Sequence, residues 1–577
     1  VAAHARGELA AADLEAAFER AHLQAWLDAL HADDHDLARF SGRDHERAIA
    51  AFGELDRRAM QLAAEVVAAR LAARLPQLRG TPIASSELGL LERELKKQRR
   101  HKPVRRLLAE LPGLLPRLAP CLLMSPHSVV QFLGRNAGTF DLVVFDEASQ
   151  MPVWDAAPAL GRGKAAIVVG DSRQLPPTSF FQRQEQGDEV AADELPEDLE
   201  SVLDECAAAG LPRMHLAWHY RSRHESLIAF SNQHYYDNRL LTFPAPADVA
   251  PGRGVRLVRV DGIYDRGGSG TNRREAEALV AEVVARLGDA GQAQRSLGIV
   301  TFSQSQQRLV EDLLDKARRD QPALEPHFTR QHEPVFVKNL ENVQGDERDV
   351  ILFSICYGPD QQGRYHENYG PINARGGERR LNVAITRARH ELVVFASMGS
   401  EHVANRSAAL GARHLRAFLD YAARGALALA GQSAPTGAGV ASPFETAVLA
   451  ALQARGHEVH TQVGCSGYRI DLAVVDPRAP GRYLLGIECD GASYHHAATA
   501  RDRDRLRAAV LRGLGWRLCR VWSTDFWQDA AAELARLDGE IAAALAEPLA
   551  PVQPVRLAAA APAASDAGAP PAAEAAV

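Results

Sequence analysis

The chain has 577 residues, of which 46% are hydrophobic and 24% charged, and its formal net charge at pH 7 is −7. This length is more than one hydrophobic core supports, so we expect several domains. No apolar run approaches the length of a bilayer span, and the net charge excludes a nucleic-acid binder that acts through bulk basicity. Any basic track must therefore be local.

The six cysteines form no CxxC pair. This spacing argues against a zinc ribbon or a disulfide framework and favours a reducing cytoplasm. The N-terminus carries no secretory signal. It begins with Val1 inside a helical pattern, so we expect the chain to be part of a longer protein.

Residues 1–115 are rich in Ala, Leu, Glu and Arg with helical periodicity, which predicts a helical region. Within it, residues 94–106 (ELKKQRRHKPVRR) are strongly basic. Two interpretations of this stretch stay open: a solvated helix face, or a surface that contacts nucleic-acid phosphates.

From about residue 118, short apolar segments alternate with helical ones, a pattern typical of parallel sheets covered by helices on both faces. The predicted strands are 121–124, 142–145, 166–169, 297–300, 350–353 and 392–395. A second, smaller pattern of the same kind runs from Ser442 to about Leu545. The fold class is therefore predicted to be α/β in both regions.

Two predicted strands run directly into polar residues. The first ends in Asp146 and Glu147, and the second is followed by Asp171 and Gln174. At the carboxyl end of a strand, Asp146 suits a Mg²⁺ ion held through water, and Glu147 suits the polarisation of a water against a γ-phosphate. Asp171 and Gln174 are placed to sense a phosphate.

Five segments in this order resemble superfamily 1 helicases, nearest to the transcript-surveillance helicases and the nuclease-helicases of replication. They are DEASQ at 146–150, GDSRQLPP at 170–177, YR at 220–221, QGDE at 344–347 and NVAITRAR at 382–389. The resemblance covers about 118–400 and implies two RecA-like domains with ATP and Mg²⁺ in the cleft between them. It is far more specific than any one motif.

The resemblance also assigns roles to individual residues. Arg221 and Arg387 come from the second RecA-like domain, and their planar cations suit the departing γ-phosphate. The other implied residues are Asp146 for the metal, Glu147 and Gln174 for catalysis, and Asp171, Gln344, Gly345 and Glu347 for the nucleotide, with Glu347 at the ribose. Ser125, Ser128 and Ser303 have two interpretations, as contacts to DNA phosphates or as ordinary helix caps.

No GxxxxGK[ST] motif is present in the chain. The nearest match, GRGK at 161–164, lies between the second and third helicase motifs and has no Ser or Thr after the lysine. In this fold the phosphate-gripping loop precedes Asp146, so we expect it upstream of Val1. We therefore expect the 577 residues alone to hydrolyse almost no ATP.

The C-terminal region carries a second set of acids. Glu445 opens a helix, Asp471 lies within a strand, and Glu488 and Asp490 end the following strand of a hairpin. Carboxylates buried together repel each other, and a divalent metal that also activates water removes the repulsion. The alternative for Asp471 and Glu488 is a hydrogen-bonded structural pair.

Over about 442–530 the region resembles PD-(D/E)xK nucleases, near the very-short-patch repair endonucleases. The resemblance implies Glu445, Asp471, Glu488 and Asp490 as metal ligands, with Asp471 and Glu488 catalytic. Asp490 stands where the general pattern has lysine, so the general base stays open between His495 and a metal-bound water.

Together these features predict an ATP-dependent DNA helicase or translocase with a Mg²⁺-dependent endonuclease domain, acting on single-stranded or junction DNA in repair or in defence against foreign DNA. The alternatives are a non-catalytic DNA-binding platform and an RNA helicase. The predicted domains are 1–115 (helical insertion), 116–210 (part of the first RecA-like domain), 211–430 (second RecA-like domain), 431–441 (linker), 442–548 (nuclease-like) and 549–577 (disordered Ala/Pro-rich tail).

Overall fold

A computed structural model of the chain describes residues 10–34, 40–76, 82–134, 139–177, 201–247, 252–404, 407–429, 442–464, 468–479, 481–490 and 499–548. The chain divides into two compact units. The parallel-sheet unit comprises Leu62–Thr436 with Gly464–Arg469, and the mixed-sheet unit comprises Val1–Gln61, Gly437–Val463 and Ile470–Val577. The predicted linker 431–441, the predicted tail 549–577 and His495 lie outside the described residues.

The strands are β1 (Phe140–Phe145), β2 (Gly163–Val168), β3 (Gly254–Arg259), β4 (Leu297–Thr301), β5 (Phe336–Asn339), β6 (Arg348–Ser354), β7 (Ala388–Ala396), β8 (Val459–Val463), β9 (Ile470–Val475), β10 (Tyr483–Asp490) and β11 (Leu518–Trp522).

The helices are α1 (Leu14–Asp33), α2 (Gly42–Arg74), α3 (Glu87–Leu95), α4 (Val104–Ala109), α5 (Leu115–Leu118), α6 (Pro126–Phe132), α7 (Val153–Leu160), α8 (Val202–Ala208), α9 (Ser226–Tyr235), α10 (Arg273–Gly288), α11 (Gln304–Asp320), α12 (Glu325–Thr329), α13 (Gly377–Ile385), α14 (Leu410–Arg424), α15 (Pro443–Ala454), α16 (Arg507–Leu514), α17 (Ser523–Gln528) and α18 (Ala530–Ala546), with a π-helical turn at Arg501–Leu506. Within the described ranges, no helix combines the length and the apolar sequence that a bilayer crossing requires.

The larger sheet of the parallel-sheet unit has five strands in the order β3-β7-β6-β4-β5, and every neighbouring pair is parallel. Successive residues of its strands face opposite sides. Val350 and Leu352 of β6 pack with α10 and α11, whereas Ile351 and Phe353 pack with α9, α13 and α14. A parallel sheet covered by helices on both faces explains why its strands are continuous apolar runs. The predicted α/β class is confirmed.

The strands β1 and β2 form a second, two-stranded parallel sheet with Phe145 opposite Val168. Its outward apolar side chains Leu142, Val144 and Ile167 are 47%, 57% and 50% exposed. The prediction of a strand at 121–124 is wrong. That segment forms no strand, and it leads at once into α6, whose start Ser125 caps.

The mixed sheet has the order β11-β10-β9-β8, with antiparallel pairs except between β10 and β11. Helices α15 and α18 bury the apolar face of this sheet. The first part of α2 belongs to the same unit. Its Gly42 N–H donates to both carboxylate oxygens of Asp525 at 3.1 and 3.0 Å. Its Asp56 is buried and forms ion pairs with Arg501 and Arg505.

Candidate functional site

Glu147, one of the two acids that follow β1, is hydrogen-bonded to Gln344, which lies 197 residues further along the chain. Gln344 donates from Nε2 to Glu147 Oε2 at 3.2 Å, and Gln150 donates to the same oxygen at 3.1 Å. The Asp146 carboxylate accepts the Glu147 N–H at 2.9 Å. Glu147 has a left-handed backbone, with φ 53°. A non-glycine residue in this conformation is strained, and such strain concentrates at functional sites.

The loop after β2 is tied to the five-stranded sheet through a tyrosine. Asp171 accepts hydrogen bonds from the Tyr236 hydroxyl at 2.7 Å and from Gln174 Nε2 at 2.9 Å. Asn382 Nδ2 donates both to the Tyr236 oxygen at 3.0 Å and to the Arg173 carbonyl at 3.0 Å. The sequence analysis gave Tyr236 and Asn382 no role of their own, although Asn382 opens one of the quoted motifs.

Two arginines complete the set of residues that the helicase resemblance predicts for ATP. We call this set the motor cleft; its side chains are Asp146, Glu147, Asp171, Gln174, Arg221, Gln344 and Arg387. Arg387 is buried, and it donates from Nε to the Val383 carbonyl at 2.8 Å and from a terminal nitrogen to Gln174 Oε1 at 3.5 Å. Burial, together with the nearby charge of Arg221, lowers the pKa of Arg387 to about 10. Arg387 is still a cation at neutral pH. Arg221 pairs through Nε with Glu347 Oε2 at 2.6 Å.

The structure thus gathers the residues predicted for the nucleotide around one cleft. Gly345 lies beside Gln344, with a φ of 86° that a side chain would strain and with open space around its Cα. The roles of Asp146, Gly345 and the other cleft residues stay predictions.

The three serines predicted to contact nucleic acid all act on helix starts. Ser125 caps α6 by accepting the Ser128 N–H at 3.2 Å, and its hydroxyl donates to that of Ser128 at 3.0 Å. Ser303 caps α11 by accepting the Gln306 N–H at 3.1 Å. These caps satisfy the helix-cap interpretation, and a contact to phosphates stays a prediction.

In the mixed sheet, the register brings the predicted acids together. The pairing of β10 with β9 ends where Ile487 stands opposite Leu472, and Glu488 and Asp471 are the residues next to this last pair. Asp471 Oδ2 accepts the Cys489 N–H at 2.8 Å. Gln462 Nε2 bridges Asp471 Oδ1 at 3.4 Å and Glu445 Oε2 at 3.2 Å. Sequence reasoning missed Gln462, which lies on β8 and has no local motif.

Burial shapes the electrostatics of this acid cluster. Burial, and then the charges of Glu445 and Asp490, raise the pKa of Asp471 to about 6. Burial raises the pKa of Asp490 to about 6 as well, although Arg520 forms an ion pair with it. Arg520 stands on β11 in register with Glu488 and was also missed as a site residue.

The donor chemistry of the cluster matches a hard divalent cation. Mg²⁺ prefers carboxylate oxygens and often takes one or two from the protein while keeping several waters. Asp471 and Glu488 meet that requirement. Among the described residues, however, no three His, Cys, Asp or Glu side chains are grouped so that they can hold one ion. Metal binding by Glu445, Asp471, Glu488 and Asp490 therefore stays a prediction.

Two family models match the chain. One, an AAA domain model (AAA_12), matches residues 199–399. The other, REase_MTES_1575, matches residues 444–541. These matches fall on the five-stranded sheet with its arginines and on the mixed sheet with its acid cluster.

Several curated proteins are similar to the chain. An uncharacterized ATP-dependent helicase of Mycoplasma genitalium, MG140, is 36% identical over 328 residues, which are 53% of this chain and 28% of that protein. The probable helicase senataxin of Homo sapiens is 25% identical over 46% of this chain and 10% of its own length. The mouse DNA-binding protein SMUBP-2 is 25% identical over 47% of this chain and 26% of its own length.

The chain spans about a quarter of the length of the MG140 helicase and less of senataxin. It contains an AAA domain of the superfamily 1 helicase type and an endonuclease-like domain, and its relatives include ATP-dependent helicases. The predicted resemblance to both kinds of protein is confirmed.

Proposed function

We propose that the protein is an ATP-driven translocase or helicase on DNA whose mixed-sheet unit is a Mg²⁺-dependent endonuclease, acting in the cytoplasm in DNA repair or in defence against foreign DNA. The observation that carries the proposal is the motor cleft. Side chains from separate parts of the chain meet there with opposite charges: Glu147 on one side, Arg387 and Arg221 on the other.

In this proposal the cleft residues act on the phosphates of bound ATP. Glu147 Oε2, held by Gln344 and Gln150, accepts a proton from the attacking water. Arg387 and Arg221 hold permanent positive charge where negative charge develops on the transferred phosphoryl group. Magnesium bound with ATP would neutralise the phosphates, with Asp146 as its partner on the protein.

The contacts of Asp171 suggest how hydrolysis is linked to movement. The hydrogen bonds from Tyr236 to Asp171 and from Asn382 to the Arg173 carbonyl cross the cleft. A change at the phosphates that shifts Gln174 would also shift these bonds, and with them the five-stranded sheet. Such a two-state element is what coupling between sites requires.

The motor proposal is tested by Glu147→Gln in the full-length gene product. We expect DNA-stimulated phosphate release to fall by about 10²- to 10⁴-fold, the usual contribution of a positioned base, while nucleotide binding persists. Glu277→Gln, an exposed acid paired with Arg273 on α10, is the matched control. Unchanged hydrolysis in Glu147→Gln would refute the role of the cleft.

DNA is preferred over RNA because the appended domain is endonuclease-like and because one relative is described as a DNA-binding protein. A second function has its own support. Arg520 neutralises Asp490, and no group of three potential ligands lies among the described residues. Both features suit a non-catalytic DNA clamp.

Asp471→Ala separates the enzyme from the clamp. If the unit is an endonuclease, cutting of labelled single-stranded, duplex and junction DNA in Mg²⁺ is lost while DNA retention on a filter persists. Glu540→Gln, an exposed acid of α18, serves as the control. Equal cutting by both variants, or no cutting by the parent protein, would favour the clamp.

A further inference from the structure

The carboxyl edge of the five-stranded sheet carries a cleft that the motor cleft does not use. Its volume is about 270 Å³. The lining side chains that matter here, which we call the tyrosine cleft, are Tyr264, Arg266, Tyr357, Tyr365, His366 and Asn368. A cleft of this size is just below the usual range of about 300–1,000 Å³ for small-molecule sites.

The tyrosine cleft and the motor cleft lie at opposite edges of the sheet. Tyr357 comes just after β6 ends at Ser354, and Tyr264 comes after β3 ends at Arg259. Glu347 and Arg387, in contrast, immediately precede β6 and β7. Ligands of open parallel sheets bind outside the carboxyl ends of the strands. The five-stranded sheet therefore lies between the predicted ATP site and the tyrosine cleft.

Aromatic rings dominate the tyrosine cleft. The rings of Tyr264 and Tyr357 are 5.2 Å apart and meet edge to face. Tyr365 is 36% exposed and stacks on His402 with ring centroids 3.9 Å apart. An exposed ring that is already held in place by stacking offers a planar face at little entropic cost, as proteins do for unpaired bases.

Polar groups at the rim match the rest of a nucleotide. Arg266 is exposed, and its guanidinium has no hydrogen-bond or ion-pair partner among the residues that the structure describes. Asn368 accepts the Gly370 N–H through Oδ1 at 3.0 Å, which orients its amide at the rim. A cation for the phosphate and an amide for the edge of a base are the usual companions of stacking side chains.

A glycine keeps the cleft open. Gly370 has a φ of 57°, and a Cβ at this position would lie 2.5 Å from the Tyr357 hydroxyl oxygen. A side chain is thus excluded both by the backbone and by the close approach. The space above Tyr357 exists because residue 370 has no side chain.

The cleft adjoins the start of α11. The Cys356 sulfur lies 3.8 Å from the Gly270 carbonyl oxygen and 4.0 Å from the hydroxyl of Ser303, the cap of α11. Ser303 is a predicted phosphate contact, so a strand that passes this helix start would reach the tyrosine cleft next. We propose that the tyrosine cleft binds an unpaired base of single-stranded nucleic acid, which stacks on Tyr365 while its phosphate contacts Arg266. This proposal rests on the proposed translocase function.

The test measures binding of labelled strands to the 577-residue chain by fluorescence anisotropy. The probes are oligothymidylate, oligouridylate and a deoxyribose-phosphate strand of equal length without bases. We expect Tyr365→Ala to weaken binding of the base-bearing strands about 5- to 150-fold, the span of one lost stacking interaction. Tyr365→Phe should retain binding, and the baseless strand should bind the parent, Tyr365→Ala and Tyr365→Phe equally.

Arg266→Ala should weaken all three probes and reduce the slope of log affinity against log salt by about one. Arg319→Ala, an exposed arginine at the far end of α11, is the matched control. A preference between the thymidylate and uridylate strands identifies DNA or RNA as the source of the base. Competition by free thymidylate or uridylate as strong as that by a strand would instead mark a mononucleotide site and overturn the proposal.

These measurements distinguish a failure of the proposed translocase function from a failure of the base-stacking inference. If the parent chain binds no strand at all, the proposed translocase function loses its partner. If it binds strands but Tyr365→Ala has no effect, or weakens the baseless strand equally, only the base-stacking inference is wrong. Circular dichroism of Tyr365→Ala and Tyr365→Phe checks that both variants are folded.

Discussion

Glu275 of the parallel-sheet unit and Asp471 of the mixed-sheet unit each lie within a polar cluster, and the surroundings of the two carboxylates differ. Glu275 of the parallel-sheet unit accepts hydrogen bonds from the Ser354 hydroxyl at 2.7 Å, the Cys356 N–H at 2.7 Å and the Ser397 hydroxyl at 3.1 Å. Asp471 of the mixed-sheet unit accepts one backbone N–H and shares the Gln462 amide with Glu445.

Burial is the largest influence on both groups. It raises the pKa of Glu275 to about 7 and that of Asp471 to about 6. The neighbours of Glu275 are neutral donors, which favour its charged form, whereas the neighbours of Asp471 include two more acids, which disfavour it. A raised pKa alone is therefore no sign of a metal site. The proposed metal site therefore rests on the acids around Asp471 and not on its raised pKa.

Glu275→Gln gives the larger expected effect. The folded pKa of Glu275 lies above the unfolded value, so the unfolding free energy is highest below about pH 4.5 and falls as pH rises to about 7. Glutamine at position 275 does not titrate, so the variant should not show this fall in the unfolding free energy. At pH 8 we expect the variant to raise the opening free energy of β6 and β7 by up to about 3 kcal/mol, with little difference at pH 5.

The measurement is amide hydrogen exchange of peptides from β6 and β7 at both pH values, which reports on this unit separately from the mixed sheet. Glutamine keeps an acceptor for Cys356 and places its amide toward the Ser397 oxygen. Glu277→Gln on the same helix is exposed and should leave the pH dependence unchanged. An equal pH slope in parent and Glu275→Gln would show that Glu275 is not the titrating group.

The two units also show which features of the fold and of the candidate sites can be predicted from the sequence. Acids at strand ends could be predicted because an apolar run followed by Asp146 and Glu147 is a local pattern. Most strands of the five-stranded sheet were predictable for the same reason, since buried parallel strands are continuous apolar runs. The segment 121–124 looked identical, but it has no strand to pair with among the described residues and leads straight into α6.

Contacts between distant parts of the chain were not predictable. Tyr236 reaches Asp171, and Gln462 reaches Glu445, only because the fold brings unrelated segments together. The pairing of Asp56 in α2 with Arg501 and Arg505 is of the same kind. Nothing local marks an aspartate in a polar helix as the partner of arginines more than four hundred residues away.

Asp471→Asn gives the smaller change in stability but the sharper contrast between the two units. The pKa of Asp471 is raised from 3.8 to about 6, so its contribution to the unfolding free energy falls as pH rises through that window. Without metal at pH 7.5, asparagine should therefore stabilise the mixed sheet, by up to about 2 kcal/mol after allowance for partial exposure.

With Mg²⁺ bound, the parent chain should instead be more stable than Asp471→Asn. A ligand at a hundred times its Kd stabilises the folded state by about 2.7 kcal/mol, and only the parent chain retains the carboxylate that would bind it. We expect the exchange protection of β9 and β10 to rise with Mg²⁺ in the parent and in the surface control Asp538→Asn, but not in Asp471→Asn. Equal protection by Mg²⁺ in all three chains would mean that the ion binds elsewhere. The same titration should leave Glu275 unaffected. Among the described residues, the groups that donate hydrogen bonds to this carboxylate are neutral, and the raised pKa of Glu275 has burial as its cause and not a second acid with which to share a cation.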